Sequence, residues 1–378
     1  MRAGSGNAAL AAGLAAAAVL GWCVCCLGGG SAARALVTAG TVLTNPVQAV
    51  QAAQELLTAP PEPDSLPQSE PERDDPAPAE PPEESLPEPE PPPEPLPADW
   101  DEVRCQDIPA PAEAGAVVER SYEKGSGEPF FAVGAGSFKN DTNGTWSTAE
   151  LAAAAAAGPP FSIDPDSEAP QVLIVHTHAT ECYRMNLGQW YDPALPTRST
   201  DESRNMCLVG EAMAQVLRQA GIATLHDTTL HDYPDYNPAY DRSRKTVQEY
   251  LRQYPSIQVV LDVHRDAIEA GGVRYAPVAD INGRRSAQVM LIVGADNGGT
   301  LPDCRKNLAF AAAWNNKMER LYPGLTRSAL FRYSFYNQDL SVGSVLIEVG
   351  GHGNTLDQAV YAGRLAASAL AELLRAGE

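Results

Sequence analysis

Four of the six histidines of this chain cluster at the ends of three short apolar runs, beside carboxylates. Val172–Val175 leads directly into His176-Thr177-His178-Ala179-Thr180-Glu181. Ile257–Val263 contains Asp262 and continues into His264-Arg265-Asp266, and Val345–Val349 carries Glu348 ahead of Gly350, Gly351 and His352. A buried strand has no use for such groups unless they are paired, whereas sites in open α/β sheets form beyond the carboxyl ends of the strands. Imidazole and carboxylate are the ligands of catalytic zinc, which takes three from the protein and keeps a fourth position for water. His178 and Glu181, on one tight turn, can face a single Zn2+, and His264 can supply the third ligand from a neighbouring strand. Glu348 is then free to take a proton from water that the metal has acidified. Asp262 and Asp266 read as groups that orient the imidazoles, and Arg265 as a further neighbour of the site. His176 competes with His178 for the ligand position, or else stands behind it or against the substrate.

Each residue alone also has a plainer reading. A strand-end histidine is most often a satisfied structural group, and Glu348 can pair with an arginine such as Arg265. The coincidence at three strand ends is what favours chemistry. His226 and His231 fall in a loop rich in Tyr, Pro and Asp and read as structural. Other chemistries lack their motifs: there is no Gly-x-Ser-x-Gly elbow, no glycine-rich phosphate loop and no paired-cysteine framework. Cys105, Cys182, Cys207 and Cys304 read as free, buried thiols, with a disulfide among them as the rival reading.

The elements that position these groups alternate between strand and helix from Gln171 onward. Val172–Val175 suits a strand buried on both faces. Ser199 and Glu202 have capping-box spacing ahead of Met206, Val209, Met213, Val216, Leu217 and Ala220, with Gly221 where a helix ends. Ile222–Leu225 reads as a strand, the stretch around Val247–Tyr254 as a helix, and Asn282-Gly283 as a hairpin turn with Pro277 marking an edge strand. A helix near Lys306–Leu321, the strand Val345–Val349 and a final Ala/Leu-rich helix follow. The pattern predicts an α/β fold, a three-layer sandwich around a mostly parallel central sheet.

Composition divides the rest of the chain. Residues 60–103 hold 16 of the 32 prolines and 15 of the 48 acidic residues against one basic residue, Arg73. That stretch accounts for 14 of the 21 net negative charges, cannot bury enough apolar surface to fold, and reads as an extended spacer. With no basic stripe, nucleic acid is not a partner. No charged residue lies between Arg2 and Arg34, and Ala8–Leu27 is long enough to span a bilayer's roughly 30 Å hydrocarbon core. It is read as a single-pass anchor at 1–34 that leaves the remainder outside the cell membrane; Ser31-Ala32-Ala33 supports the rival reading of a cleaved signal peptide. A juxtamembrane segment and linker then cover 35–104, and a catalytic domain 105–378, with its core at about 170–376.

The segments VLIVHTHATECY (172–183), YDRSRKTV (240–247), VVLDVHRDA (259–267) and NQDLSVGSVLIEVGGHGNT (337–355) resemble stage II sporulation protein P of spore-forming bacteria. The resemblance implies a zinc-dependent peptidoglycan hydrolase similar in fold to N-acetylmuramoyl-L-alanine amidases and, through them, to zinc carboxypeptidases. Those relatives use a His and a Glu, a later His and a final catalytic Glu, a pattern matched by His178, Glu181, His264 and Glu348. The amidases' glycine-rich turn after the first strand is absent here, so an acidic residue near Asp201-Glu202 competes with Glu181 as second ligand. The resemblance further implies action on peptidoglycan during engulfment, cleavage within the stem peptide as well, and partnership with stage II sporulation proteins D and M. A non-catalytic wall-binding module that recruits a lytic partner is the rival from another class.

Overall fold

The computed structural model describes residues 105–165 and 167–376; the apolar N-terminal segment and the Pro/Glu-rich spacer lie outside them. Among the described residues no helix is long and apolar enough to cross a membrane. In chain order the elements are β1 (Gly115–Arg120), β2 (Phe130–Val133), β3 (Gly136–Asp141), α1 (Thr148–Ala155), β4 (Val172–Val175), β5 (Trp190–Tyr191), α2 (Met206–Gln219), β6 (Thr224–His226) and α3 (Ala239–Gln253). They continue with β7 (Val259–Asp266), β8 (Glu269–Ala270), β9 (Val273–Ile281), β10 (Arg284–Ala287), β11 (Val289–Gly294), α4 (Cys304–Leu321), β12 (Ala329–Arg332), β13 (Gly343–Gly351) and α5 (Leu356–Arg375).

The main sheet has eight strands in the order β2-β3-β12-β11-β13-β7-β4-β6. The sheet is mostly parallel, as expected, but it is mixed. β13, β7, β4 and β6 run parallel to one another, as do β11, β12 and β3, but the two blocks meet antiparallel at β11 and β13. The reason lies in the connection 333–342, whose one helical feature is the 3-10 turn Gln338–Leu340. A parallel return needs a crossover of a dozen or more residues, usually a helix, and this segment is too short to carry one. A smaller sheet, β10-β9-β1-β5 with β8 on β9, stands beside it in the fold.

Strand alternation sorts the side chains between two cores. Val172 and Ile174 of β4, Val259, Leu261 and Val263 of β7, and Val345, Ile347 and Val349 of β13 pack into the large core with α2, α4 and α5. Trp314 is fully buried there, its indole N–H donating to Ala366 O at 2.9 Å. Leu173, Val175 and Val260 face the other way, against Val247 of α3. On that second face Asp262 and His264 follow Val260, and Glu348 follows Leu346.

Two local expectations are corrected. Helix α2 is capped by Asn205, whose side chain accepts from Cys207 N, not by Ser199 with Glu202. Asp201 Oδ1 accepts from Ser203 N at 3.0 Å and Ser203 Oγ at 2.6 Å, and this local turn holds the upstream residues out of the helix. Asn282-Gly283 does join β9 to β10, with φ of 52° and 76° as a primed hairpin turn requires. Yet β9 is no edge strand: β1 pairs along it in parallel, and Pro277 is tolerated because it meets β1 at that strand's last residue, Arg120.

Candidate active site

Three adjacent parallel strands, β4, β7 and β13, deliver their carboxyl ends to one place. The β13–β7 register sets Glu348 directly beside His264. The turn after β4 is closed by Glu181 N donating to His178 O at 3.1 Å, and Met206 N donates to Glu181 O at 2.9 Å, tying the turn to the start of α2. Within this frame Glu181 Oε2 accepts from Arg265 N at 3.2 Å and lies 3.8 Å from His264 Nδ1. The His178 and His264 rings stand nearly perpendicular, centroids 5.2 Å apart. His178, Glu181, His264 and Glu348 are thus brought into one cluster.

His176 is not. As the residue two beyond Ile174 it continues on the opposite face, where Nδ1 lies 2.8 Å from Val263 O and Nε2 lies 2.9 Å from His226 Nε2. His226 Nδ1 is in turn 3.0 Å from Glu211 Oε2. The rings fit beneath α2 because position 210 is glycine; a Cβ there would stand 2.4 Å from His176 Nε2. His176 therefore does not take the place of His178 in the cluster. Asp201 and Glu202 lie exposed in their turn. Arg265 spends its guanidinium on main-chain carbonyls, Nε to Cys182 O and Nη2 to Thr197 O, both at 2.8 Å, and so clamps the chain around the site rather than facing into it. Asp262 accepts from Thr177 and sits 2.8 Å from His264 Nε2, the placement of an orienting group. Asp266 is held by Arg327 Nη2 at 3.0 Å.

Several members of the cluster escaped sequence reasoning. Tyr236 stacks on His178 with centroids 4.6 Å apart and an interplanar angle of 12°, and its hydroxyl is 3.0 Å from His178 Nε2. Arg198 lies over the same phenol and reaches both Glu181 and Asp232. Tyr240, at the start of α3, lies nearly parallel to the His264 ring at 6.5 Å. The signals were the concentration of Tyr and Asp in residues 227–240 and the two threonines inside the first motif.

Burial and charge act unequally on these groups. Burial pushes the Glu348 carboxyl up to about 8, helped by Asp266 and Glu181 and opposed by His264 and Arg327. Burial alone would depress His264, but Asp262, Glu181 and Glu348 outweigh it and hold the imidazole up at about 9. His178, desolvated and beside His264, is lowered to about 4. Asp262 is raised by burial but ends below the usual carboxylate range because His264 and Thr177 stabilise its anion.

The donor set fits a divalent cation in kind. Nitrogen and oxygen donors of the type zinc takes share one cluster, four carboxylates (Glu181, Asp232, Asp262 and Glu348) crowd two imidazoles, and the buried His178 Nδ1, Glu348 Oε2 and His264 Nε2 have no hydrogen-bond partner, the last being in ion contact with Asp262. Among the described residues, however, no group of three such donors converges on one point.

In fold, the chain is similar to the CwlD amidase from Clostridioides difficile solved with the GerS lipoprotein, at TM-score 0.35 and 13% identity over 55% of this chain and 99% of that one. It is similar to the N-acetylmuramyl-L-alanine amidase Ami1 from Mycobacterium abscessus at TM-score 0.33 and 15% identity, over 55% and 98%. In sequence it is 31% identical over 213 residues to stage II sporulation protein P of Bacillus subtilis (strain 168), covering 53% of this chain and 50% of that protein. The chain thus spans about half the length of that relative. The family model described as stage II sporulation protein P matches residues 116–371, a stretch that contains every side chain of the cluster, and the chain belongs to that family.

Proposed function

We propose that this protein is a peptidoglycan hydrolase of sporulation, an N-acetylmuramoyl-L-alanine amidase that cuts between the glycan lactyl group and the stem peptide. The observation that carries the reading is Glu348: a carboxylate set in an apolar strand against His264, with Oε2 buried and unpartnered and its affinity for a proton raised. A structural carboxylate would be costly there; a proton acceptor is well placed. Zinc, held by His178, Glu181 and His264, would supply acidified water and polarise the scissile carbonyl. Glu348 would take the proton of the attacking water and return it to the departing amide nitrogen. Asp262 would keep His264 in one orientation through the Nε2 contact.

A second reading has one observation in its favour: the absence of three converged donors among the described residues suits a wall-binding module that recruits a lytic partner. Digestion of purified sacculi separates the two. The amidase reading expects stem peptides with free amino-terminal alanine, identified by mass; intact sacculi with the protein bound to them would sink it. Products cut inside the stem peptide would make the protein an endopeptidase instead.

The uncharged segment Ala8–Leu27 supports a further proposal, that the protein is a single-pass membrane protein with its catalytic domain outside the cytoplasm. Its partners there would be stage II sporulation proteins D and M. Protease added outside intact cells is expected to remove the domain from the membrane fraction. A soluble form beginning near Arg34 would show instead that the segment is a cleaved signal.

A further inference from the structure

Thr177 and Thr180, three residues apart in the turn after β4, make the same pair of bonds to two different carboxylates. Thr177 donates its N–H to Asp262 Oδ1 at 2.8 Å and its hydroxyl to Oδ2 at 2.7 Å. Thr180 donates its N–H to Asp232 Oδ1 at 3.2 Å and its hydroxyl to Oδ2 at 2.6 Å. Each carboxylate, gripped at both oxygens, faces its own imidazole. Asp262 Oδ1 is 2.8 Å from His264 Nε2, and Asp232 Oδ2 is 3.8 Å from His178 Nδ1. One hexapeptide, His176–Glu181, therefore organises two Thr–Asp–His units.

A plain ion pair with Arg198, 2.5 Å from Asp232 Oδ2, does not account for this arrangement. The Asp232 side chain has no exposed surface, whereas that of Arg198 is 36% exposed and has water available. Nor does the pair explain why the buried, unpartnered Nδ1 of His178 faces the carboxylate. The ring's other nitrogen meets the hydroxyl of Tyr236, which is 49% exposed and has room to give way; Asp232 has none.

We propose that Asp232 is the positioning residue of His178, as Asp262 is of His264. The role rests on the reading of both histidines as cation ligands. A carboxylate behind an imidazole fixes the ring and its tautomer and makes the opposite nitrogen a better donor. At 3.8 Å the contact is electrostatic rather than a hydrogen bond, so its effect is carried by charge.

The test is a titration of the full-length protein with zinc chloride. Asp232→Asn keeps the shape of the side chain and removes its charge; zinc affinity is expected to fall about 10–100-fold, as it should in Asp262→Asn. Thr180→Val leaves the charge but removes the hydroxyl's bond to Oδ2, and should weaken zinc in the same direction by less; it also carries the comparison if Asp232→Asn fails to fold. In metal-free protein labelled with 15N-histidine, the ring signals of His178 should shift in Asp232→Asn while those of His264 stay in place. A purely structural Asp232 would lower the melting temperature yet leave zinc affinity and the His178 signals unchanged, and that result overturns the proposal. Wild-type protein that takes up no zinc would remove the proposed zinc chemistry; the His178 spectrum then decides the positioning role by itself.

Discussion

Glu348→Gln should leave the fold, zinc uptake and peptidoglycan binding in place while lowering hydrolysis by about 10²–10⁴-fold, the usual worth of a general base. The substitution is nearly isosteric, so the contacts of β13 with β7 and β11 survive it. What it removes is the ability to accept a proton. Burial lifts the carboxyl to about 8 even with His264 alongside, and the charge of a bound cation would lower it again to where the carboxylate is free to accept a proton. A wall-binding module assigns this side chain no proton to carry and expects no change. Measured on purified sacculi, full hydrolysis by the Gln variant would remove Glu348 from the mechanism.

His264→Ala should abolish zinc uptake, taking metal content from about one per chain to none with activity lost alongside. His264 is the one imidazole that touches both sides of the cluster, Asp262 at 2.8 Å through Nε2 and Glu181 at 3.8 Å through Nδ1. Its removal leaves Asp262 buried beside Thr177 without its ring partner, a change that typically costs a folded domain about 3–5 kcal/mol. The large core lies on the opposite face of β7, so the fold itself should persist. His176→Ala is the matching control. Its ring lies on that opposite face against His226, so metal content should stay at the wild-type level. Elemental analysis of the two purified variants checks both; metal retained without His264, or lost without His176, would reverse the assignment of faces.

The pieces of this site that were legible in the sequence are those carried by strands. Apolar runs marked β4, β7 and β13, and polar residues at their ends marked His178, Glu181, His264 and Glu348, because a buried strand gives such groups no ordinary role. Parity groups His176 with Val172 and Ile174, but His178 shares it and lies elsewhere because the strand ends at Val175. Parity alone, though, does not say which face of a sheet holds the chemistry; that depends on α3 covering one side and α2 the other. Asp232 and Tyr236 were hidden for a different reason. They lie in a loop with no periodicity, and only the folded chain brings them 52 and 58 residues back, to Thr180 and His178. The start of α2 was misread because a short-range turn at Asp201 competes with the capping box for the same residues. The reversed direction of β11 and β12 left no local trace, since a strand's sequence does not record which way its neighbour runs.

Beyond Glu348 the ladder slips: Glu348 is opposite His264, but Gly351 is opposite Asp266, so β13 spends three residues where β7 spends two. Gly350 in the surplus has φ of 67°, and a Cβ there would press to 2.7 Å on Asn354 Oδ1. Asn354 then fixes the far side, accepting from Gly351 N and donating to Pro277 O just ahead of α5. The extra residue sits between Glu348 and the helix that follows. Strain arising in the 352–355 turn or at the head of α5 can be taken up at Gly350 before it reaches Glu348. A side chain at position 350 would therefore be expected to shift the 352–355 turn before it disturbed the pairing of Glu348 with His264.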